Sequence, residues 1–140
     1  ALSLNSHETV VEISAKKTTS LIHSLRSYLE KKQIAFPQLL DIDQREEEAI
    51  LLATGPSEII SATKTALANH PEFKLSKKEL STVTLTCTGS TSPEVMEQAM
   101  SALENAKVNL HKIMVSPMSI TALIDSSARK EALQALHALI

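Results

Sequence analysis

Hydrophobic and polar residues follow two different periods along the last third of the chain. Apolar residues at 108–115 and 120–124 form two extended runs separated by Ser116-Pro117, which predicts a β-hairpin. Beyond Asp125-Ser126-Ser127, which can cap a helix, apolar residues recur at spacings of three and four, which predicts an amphipathic helix. The stretch therefore predicts a strand, a turn, a strand and a helix whose apolar face covers the hairpin.

The same order of elements occurs about 72 residues earlier in the chain. Extended runs at 34–40 and 49–53 flank a polar turn at 41–48, and a helix opens at Gly55-Pro56-Ser57. Each copy follows a further strand and helix, at 9–15 with 18–32 and at 82–88 with 92–106. Pro37 cannot donate a ladder hydrogen bond, so the strand there lies at an edge or begins just after it. The chain is predicted to be a tandem βαββα repeat.

Counting strands at the unit ends predicts how the two sheets are completed. Residues 72–75 form a candidate closing strand for the first unit, and the charged stretch 76–79 marks the unit boundary. The second unit lacks a closing strand, whereas the apolar segment 1–4, followed by a polar turn at 5–8, is one strand to spare. We therefore expect a first unit at 5–80 and a second unit at 81–140 that is completed by residues 1–4.

The predicted fold class is α+β, with two ferredoxin-like βαββαβ units whose four-stranded antiparallel sheets carry two helices on one face. One apolar stripe on each helix is expected to point inward. These stripes lie at 21/25/29, 59/63/67, 95/99/103 and 132/136/139.

Composition excludes several classes of function. A net charge of −2 and 2% aromatic residues provide neither the basic surface nor the stacking surface that nucleic-acid binding needs. A unit of roughly 70 residues has a marginal core, so self-association is expected. The single cysteine, Cys87, is compatible with a reducing cytosol, and neither a signal peptide nor an apolar run of about 20 residues is present. A cytoplasmic protein without membrane contact is expected.

The sequence offers no catalytic or metal site. Only Gly55 and Gly89 are glycines, so no glycine-rich loop can wrap a nucleotide's phosphates. The five histidines lack paired ligand spacing, and His137 is expected to be a packing or surface residue. The acidic residues at 41–48 lack the glycine and spacing of a calcium loop and are interpreted as a solvated turn. No cofactor is expected.

The best candidate for binding chemistry is the stretch 86–93. A strand ends there, Gly89 permits an unusual backbone angle, and a helix N-terminus follows with hydroxyls at Ser90, Thr91 and Ser92. Free N–H groups at a helix N-terminus suit the carboxylate of an amino acid. A capped strand-to-helix turn without a ligand explains Ser92-Pro93 equally well. The matching loop of the first unit, at 14–19, has hydroxyls and lysines but no glycine.

Tandem units of this size, the segment 112–125 with Met114-Val115-Ser116, and the closing segment 132–140 with Leu136-His137 resemble the paired ACT domains at the C-terminus of aspartokinases. The resemblance covers the full length. It implies regulation rather than catalysis: lysine or threonine bound between paired units, a homodimer, and control of a kinase domain absent from this chain. The implied effector-binding residues are Ser14, Ala15, Thr18, Thr19, Gln38, Gly89, Ser90, Thr91, Ser92 and Asn109.

This sequence departs from the family pattern in the first unit. A glycine and an aromatic residue usually precede the family's first helix, whereas this chain has Ser14-Ala15-Lys16-Lys17-Thr18-Thr19. An acidic residue early in the next strand is replaced by Pro37 or Gln38. These departures predict a weakened or altered first site. The alternatives are an ACT-type regulatory module of another enzyme of amino-acid metabolism and a purely structural dimerisation module.

Overall fold

The computed structural model describes residues 2–16, 21–88 and 91–140, and it has the predicted α+β fold. Within these residues the chain forms seven strands and four α-helices, and a single 3-10 turn, Ser126–Ala128, precedes the last helix. The elements are β1 Leu2–Lys16, α1 Leu21–Lys31, β2 Gln38–Gln44, β3 Glu48–Thr54, α2 Ser57–Leu67, β4 Phe73–Leu75, β5 Leu80–Cys87, α3 Pro93–Asn105, β6 Leu110–Ser116, β7 Ser119–Asp125 and α4 Arg129–His137.

The chain divides into two compact units. The first unit is Thr9–Lys78, and the second unit combines Ala1–Glu8 with Glu79–Ile140. The sequence predicts a first unit at 5–80, which is longer than the observed unit at both ends. Strand β1 is unbroken, so its first half belongs to the second unit and its second half to the first unit.

The first unit has the antiparallel strand order β2-β3-β1-β4, which is that of a βαββαβ unit. Its core uses alternate strand positions together with the apolar stripes of α1 and α2, so both helices cover one face of the sheet. Leu21, Leu25 and Leu29 are buried as predicted, whereas on α2 Ile60 is buried and Ile59 is only half-buried.

Strand β2 begins directly after Pro37, in agreement with the restriction that proline imposes, but the predicted strand residues 34–36 are not part of it. Gln33 adopts a left-handed conformation with φ 60°, and the Ile34 N–H donates to the Leu29 carbonyl at 2.9 Å. These residues therefore end α1. Ile34 and Phe36 pack against the first unit's core from this loop, which explains their apolar pattern.

The second unit places β7 between β5 and β6 in antiparallel register, and the first half of β1 pairs with β5. Its core again combines alternate strand positions with helix stripes from α3 and α4. The buried members are Val83, Leu85, Ala99, Leu103, Val108, Ile120, Ala122, Ile124, Ala132 and Leu136.

The predicted polar turn at 5–8 is wrong, because these residues continue strand β1. Their polar groups are satisfied by residues distant in sequence. The Ser6 hydroxyl donates to the Thr82 carbonyl at 2.7 Å, and the His7 N–H donates to the Thr82 hydroxyl at 3.3 Å. Arg129 of α4 donates to the Ser6 hydroxyl at 2.8 Å. Polar residues typical of a turn are thus accommodated in a strand by partners that the local pattern does not show.

The predicted capping of the last helix by Asp125-Ser126-Ser127 is also wrong, because Ala128 is the N-cap of α4 and no side chain caps this helix. The Asp125 side chain makes no capping hydrogen bond. Its Oδ1 lies 2.7 Å from Nε2 of His111, at the point where the β6–β7 register shifts between Leu110 and Lys112. A cross-strand partner for the carboxylate has replaced the local helix cap, and α4 begins only at Arg129.

Candidate functional site

The candidate site in the second unit lies where β5 ends and α3 begins. Ser92 is the N-cap of α3, and its Oγ accepts from the Val95 N–H at 3.2 Å. Pro93 takes the first helical position, where its missing N–H costs nothing. The predicted cap is confirmed, and the Ser92 hydroxyl is engaged by the protein itself.

The turn between β6 and β7 is hydrogen-bonded to this loop. The Thr91 N–H donates to the Pro117 carbonyl at 2.8 Å, and its hydroxyl donates to the Ser116 carbonyl at 3.3 Å. The Cys87 N–H donates to the Met118 carbonyl at 2.7 Å. Three bonds, which join residues 25 to 31 positions apart, therefore connect the two ends of the β5–α3 connection to this turn. Sequence reasoning did not assign the 116–118 turn to the site.

The amides at the start of α3 determine how much of the helix end a ligand could use. Pro93 has no N–H, the Val95 N–H donates to the Ser92 side chain, and the Met96 N–H donates to the Ser92 carbonyl. Among the described first-turn residues, the Glu94 amide remains available to an anion. The Glu94 carboxylate lies in the same turn and supplies negative charge to the helix dipole. A ligand carboxylate must therefore find further donors.

Two of the first-unit candidates, Ser14 and Ala15, lie near the end of β1. Ser14 lies opposite Ile50 and Lys74, and the neighbouring Ala15 packs its methyl group against the first unit's core. Successive strand residues face opposite sides of a sheet, so these two side chains cannot contact one ligand together. Of the remaining candidates, Thr18 and Thr19 in this loop and Gly89 and Ser90 in the second lie outside the described residues.

The structure does not bring Gln38 close to the first-unit loop. Gln38 is opposite Thr54, which is opposite Val10, whereas Ser14 lies four residues further along β1. At about 3.3 Å per residue this offset is roughly 13 Å along the strand direction, in addition to the width of two strands. Within the first unit, Gln38 and Ser14 belong to opposite ends of the sheet.

Asn109 has the corresponding position in the second unit. This exposed residue precedes β6, whose Leu110 is opposite Ile124. Thr91 lies at the other end of the unit, because it bonds to the residues that close the β6–β7 turn. A ligand that contacts the helix-opening loop of either unit therefore does not reach that unit's Gln38 or Asn109.

The predicted solvated turn at 41–48 is shorter than expected, because Asp41 and Asp43 lie in β2, Glu48 opens β3, and only 45–47 connect the two strands. Arg45 pairs with Asp43 at 3.3 Å and with Glu48 at 3.9 Å, and all three side chains are substantially exposed. Among the described residues, no group of three or more histidine, cysteine, aspartate and glutamate side chains could hold a metal ion. His137 is exposed. In the same part of the chain, no helix is long and apolar enough to cross a membrane.

These elements define a tandem of ferredoxin-like βαββαβ units, an ACT-like architecture. Solved structures share it. The ligand-free regulatory subunit of aspartate kinase from Thermus thermophilus is 18% identical with a TM-score of 0.68, and the match covers 100% of this chain and 99% of that one. A putative C-terminal regulatory domain of aspartate kinase from Porphyromonas gingivalis W83 is 15% identical with a TM-score of 0.59, covering 97% and 94%.

A third similar structure is a longer protein. Aspartokinase III from E. coli, in complex with lysine and aspartate in the T-state, is 16% identical with a TM-score of 0.60. The match covers 99% of this chain and 32% of that one, so this chain corresponds to about a third of the enzyme. No family model matches the sequence. No curated protein matches it either. At these identities the similarity establishes a shared fold.

Proposed function

We propose that this chain is the amino-acid-sensing tandem ACT module of an aspartokinase. In this proposal it binds lysine or threonine and controls phosphorylation of aspartate by a kinase domain that is not in the chain. The observation that carries the proposal is the end-to-end match to an aspartate kinase regulatory subunit, which leaves almost no residue of either chain uncovered. The lysine-bound state of the E. coli enzyme supports lysine as one effector to test.

The second unit offers the better-supported binding position. Thr91 bonds to the 116–118 turn, the Glu94 amide lies in the first turn of α3, and Thr91 and Ser92 are half-buried. One exposed helix end contributes only about 0.3–1 kcal/mol toward an anion, so useful affinity requires further backbone donors and burial. We propose that a second copy of the chain in a homodimer completes the site, with strand carbonyls accepting from the effector's ammonium group.

The regulatory step follows from differential binding. An effector that binds one arrangement of the homodimer more tightly shifts the population toward it, and coupling to the kinase domain is expected to be about 1–3 kcal/mol. The module needs no cofactor for this role. A reducing cytoplasm suits its one thiol, Cys87, which is buried.

Isothermal titration calorimetry with lysine, threonine and methionine tests the proposal. We expect saturable heat with lysine or threonine and a matching rise in melting temperature. Thr91→Val removes the hydroxyl that bonds to the 116–118 turn and should weaken binding, whereas Ser127→Ala, at an exposed serine of the same unit, should not. Absence of both heat and thermal shift at millimolar ligand would refute sensing by this chain.

Edge strands favour a second candidate function, a dimerisation module of another enzyme of amino-acid metabolism. β2 and β6 each end the strand order of a unit and carry exposed apolar side chains, Ile42 at 43% and Val115 at 52% exposure. Such edges gain by pairing with another chain. Sedimentation equilibrium separates the alternatives when combined with calorimetry: a dimer that binds no amino acid supports the dimerisation module, and a monomer argues against both.

A further inference from the structure

The first unit contains a histidine whose ring nitrogen accepts two backbone hydrogen bonds. His70 follows α2, and its Nδ1 accepts from the Glu72 N–H at 3.0 Å and from the Phe73 N–H at 3.3 Å. Phe73 is the first residue of β4. The imidazole therefore holds the tight connection between the end of α2 and the start of β4.

Aromatic side chains fix the position of this ring. The rings of Tyr28 and His70 are perpendicular, with centroids 4.4 Å apart, and the Phe73 ring lies 4.9 Å from His70 on centroids. The Tyr28 hydroxyl donates to the Ala66 carbonyl at 2.9 Å, which anchors the cluster to α2. The imidazole is half-buried, so it cannot turn away without disturbing these contacts.

We infer that His70 is a proton-sensitive latch that holds the α2–β4 connection only while Nδ1 is unprotonated. A neutral imidazole with its proton on Nε2 has a free acceptor at Nδ1, whereas an imidazolium has donors at both nitrogens. Protonation would turn the acceptor into a donor that faces two N–H groups. Both hydrogen bonds are then lost, and the two amides are left facing a positive charge.

The surrounding charges do not supply a substitute partner. α1 contributes Tyr28 and Lys32, whose ammonium lies 5.7 Å from the Tyr28 ring centroid. Lys64 lies in the last turn of α2, and Glu72 and Lys74 lie on the connection and on β4. Within the described residues, His70 forms no ion pair. Attraction between an imidazolium and the Tyr28 ring opposes release of the latch, and the experiment below measures the balance.

Release of the latch acts on a short strand. β4 has three residues, and it pairs with β1 at Ile13, Ser14 and Ala15. Three residues provide few ladder bonds, so the two bonds to His70 add to the ladder and to the buried Phe73 side chain in fixing this strand. Acidification is therefore expected to loosen the edge of the first unit beside Ser14.

Amide hydrogen exchange of Glu72, Phe73 and Lys74, measured in the full chain at a neutral and at an acidic pH, tests the latch. His70→Asn provides the matched variant, because an asparagine Oδ1 can accept the same local N–H bonds and does not titrate. His23→Asn, at an exposed histidine of α1, is the control. Rates are expressed relative to His70→Asn at each pH, which cancels the intrinsic pH dependence of exchange.

We expect the native chain to match His70→Asn at about pH 7.5 and to exchange about fivefold faster or more at about pH 5.5, as expected for losing one or more ordinary hydrogen bonds. His23→Asn should behave like the native chain at both values. Equal protection in the native chain and His70→Asn at both values would overturn the inference. Nitrogen-15 shifts of the His70 ring that place the proton on Nδ1 at neutral pH would overturn it as well.

Discussion

The two units repeat one order of strands and helices, but they fill and close their cores differently. Where α1 of the first unit has three leucines, α3 of the second unit has smaller side chains at two of the three matched positions. Val95 corresponds to Leu21, Ala99 to Leu25, and Leu103 to Leu29. The period of the apolar positions is the same in both helices. The two helices therefore share the spacing of their apolar positions, whereas the volume of the side chains at those positions differs between the two cores.

Closure of the two sheets differs more strongly. The first unit closes with its own strand β4, held beside the aromatic cluster of Tyr28, His70 and Phe73. The second unit closes with the first half of β1, whose Leu2 and Leu4 pack against the core and whose later residues contact hydroxyl groups of β5. The Ser81 hydroxyl lies within hydrogen-bond distance of the Glu8 carbonyl and the Ser126 hydroxyl. Different side-chain contacts at the closing strand therefore support the same order of strands in the two units.

The largest effect is expected from the matched core leucines. The Leu29 side chain is 0% exposed and the Leu103 side chain is 2% exposed. Leu29→Ala and Leu103→Ala should each lower the free energy of unfolding by about 2–5 kcal/mol. Urea denaturation followed by nuclear magnetic resonance signals from each unit measures the two losses. Ile140→Ala, at a 58% exposed position, is the control and should change stability by less than about 0.5 kcal/mol. A loss below about 1 kcal/mol for either leucine would contradict the described core.

Ser81→Ala tests whether hydroxyl contacts hold the closing strand of the second unit. Ser81 is fully buried, and its removal leaves the Glu8 carbonyl without its side-chain donor. We expect a loss of about 0.5–1.5 kcal/mol and faster amide exchange in residues 2–8, because a part-buried hydrogen bond is lost. The exposed Ser127→Ala should leave exchange in this segment unchanged. Equal exchange in both variants would show that hydroxyl contacts do not hold the strand.

The cap of α3 distinguishes a structural role of Ser92 from a binding role. Ser92→Ala removes the acceptor for the Val95 N–H and should cost about 1 kcal/mol of stability. Ser92→Asp retains an acceptor and should restore most of that loss. Thermal denaturation of the two variants measures the difference. If Ser92→Ala lost no stability while effector binding fell, the hydroxyl would be a ligand contact rather than a cap.

The smallest effect is expected at the charged turn of the first unit. Arg45→Gln removes two ion pairs with Asp43 and Glu48 that are exposed to solvent, and stability should change by less than about 0.5 kcal/mol. The equivalent turn of the second unit bonds to Thr91 and carries no such pairs among its residues 116–119. Salt titration of the melting temperature checks the result, since any contribution from these pairs decreases with ionic strength.

Periodic features of the sequence predicted most of the fold. Local geometry, which the sequence encodes directly, determines three of these features. They are the leucine stripe of α1, the start of α3 at Ser92-Pro93, and the start of β2 directly after Pro37. The strand at 5–8 was not predictable in this way, because its polar groups bond to Thr82 and Arg129, more than 70 residues away. Local patterns do not contain such partners.

The candidate site was predictable only in part for the same reason. A helix N-terminus with hydroxyls can be recognised from the sequence, and it predicted Thr91 and Ser92. The bonds from Thr91 to Ser116 and Pro117 depend on the register of the second unit's sheet. The opposite placement of Gln38 and Ser14 likewise follows from strand pairing. These relations require the tertiary fold.

Resonance mapping of the nitrogen-15-labelled chain with lysine and with threonine tests the proposal that the second unit binds an amino-acid effector at the β5–α3 loop. We expect saturable shifts at Thr91, Ser92 and Glu94 and in the 116–118 turn, which is hydrogen-bonded to that loop. Smaller shifts are expected at Ser14, where the first-unit loop departs from the family pattern. Absence of shifts at millimolar ligand, or shifts confined to the first unit, would contradict the claim.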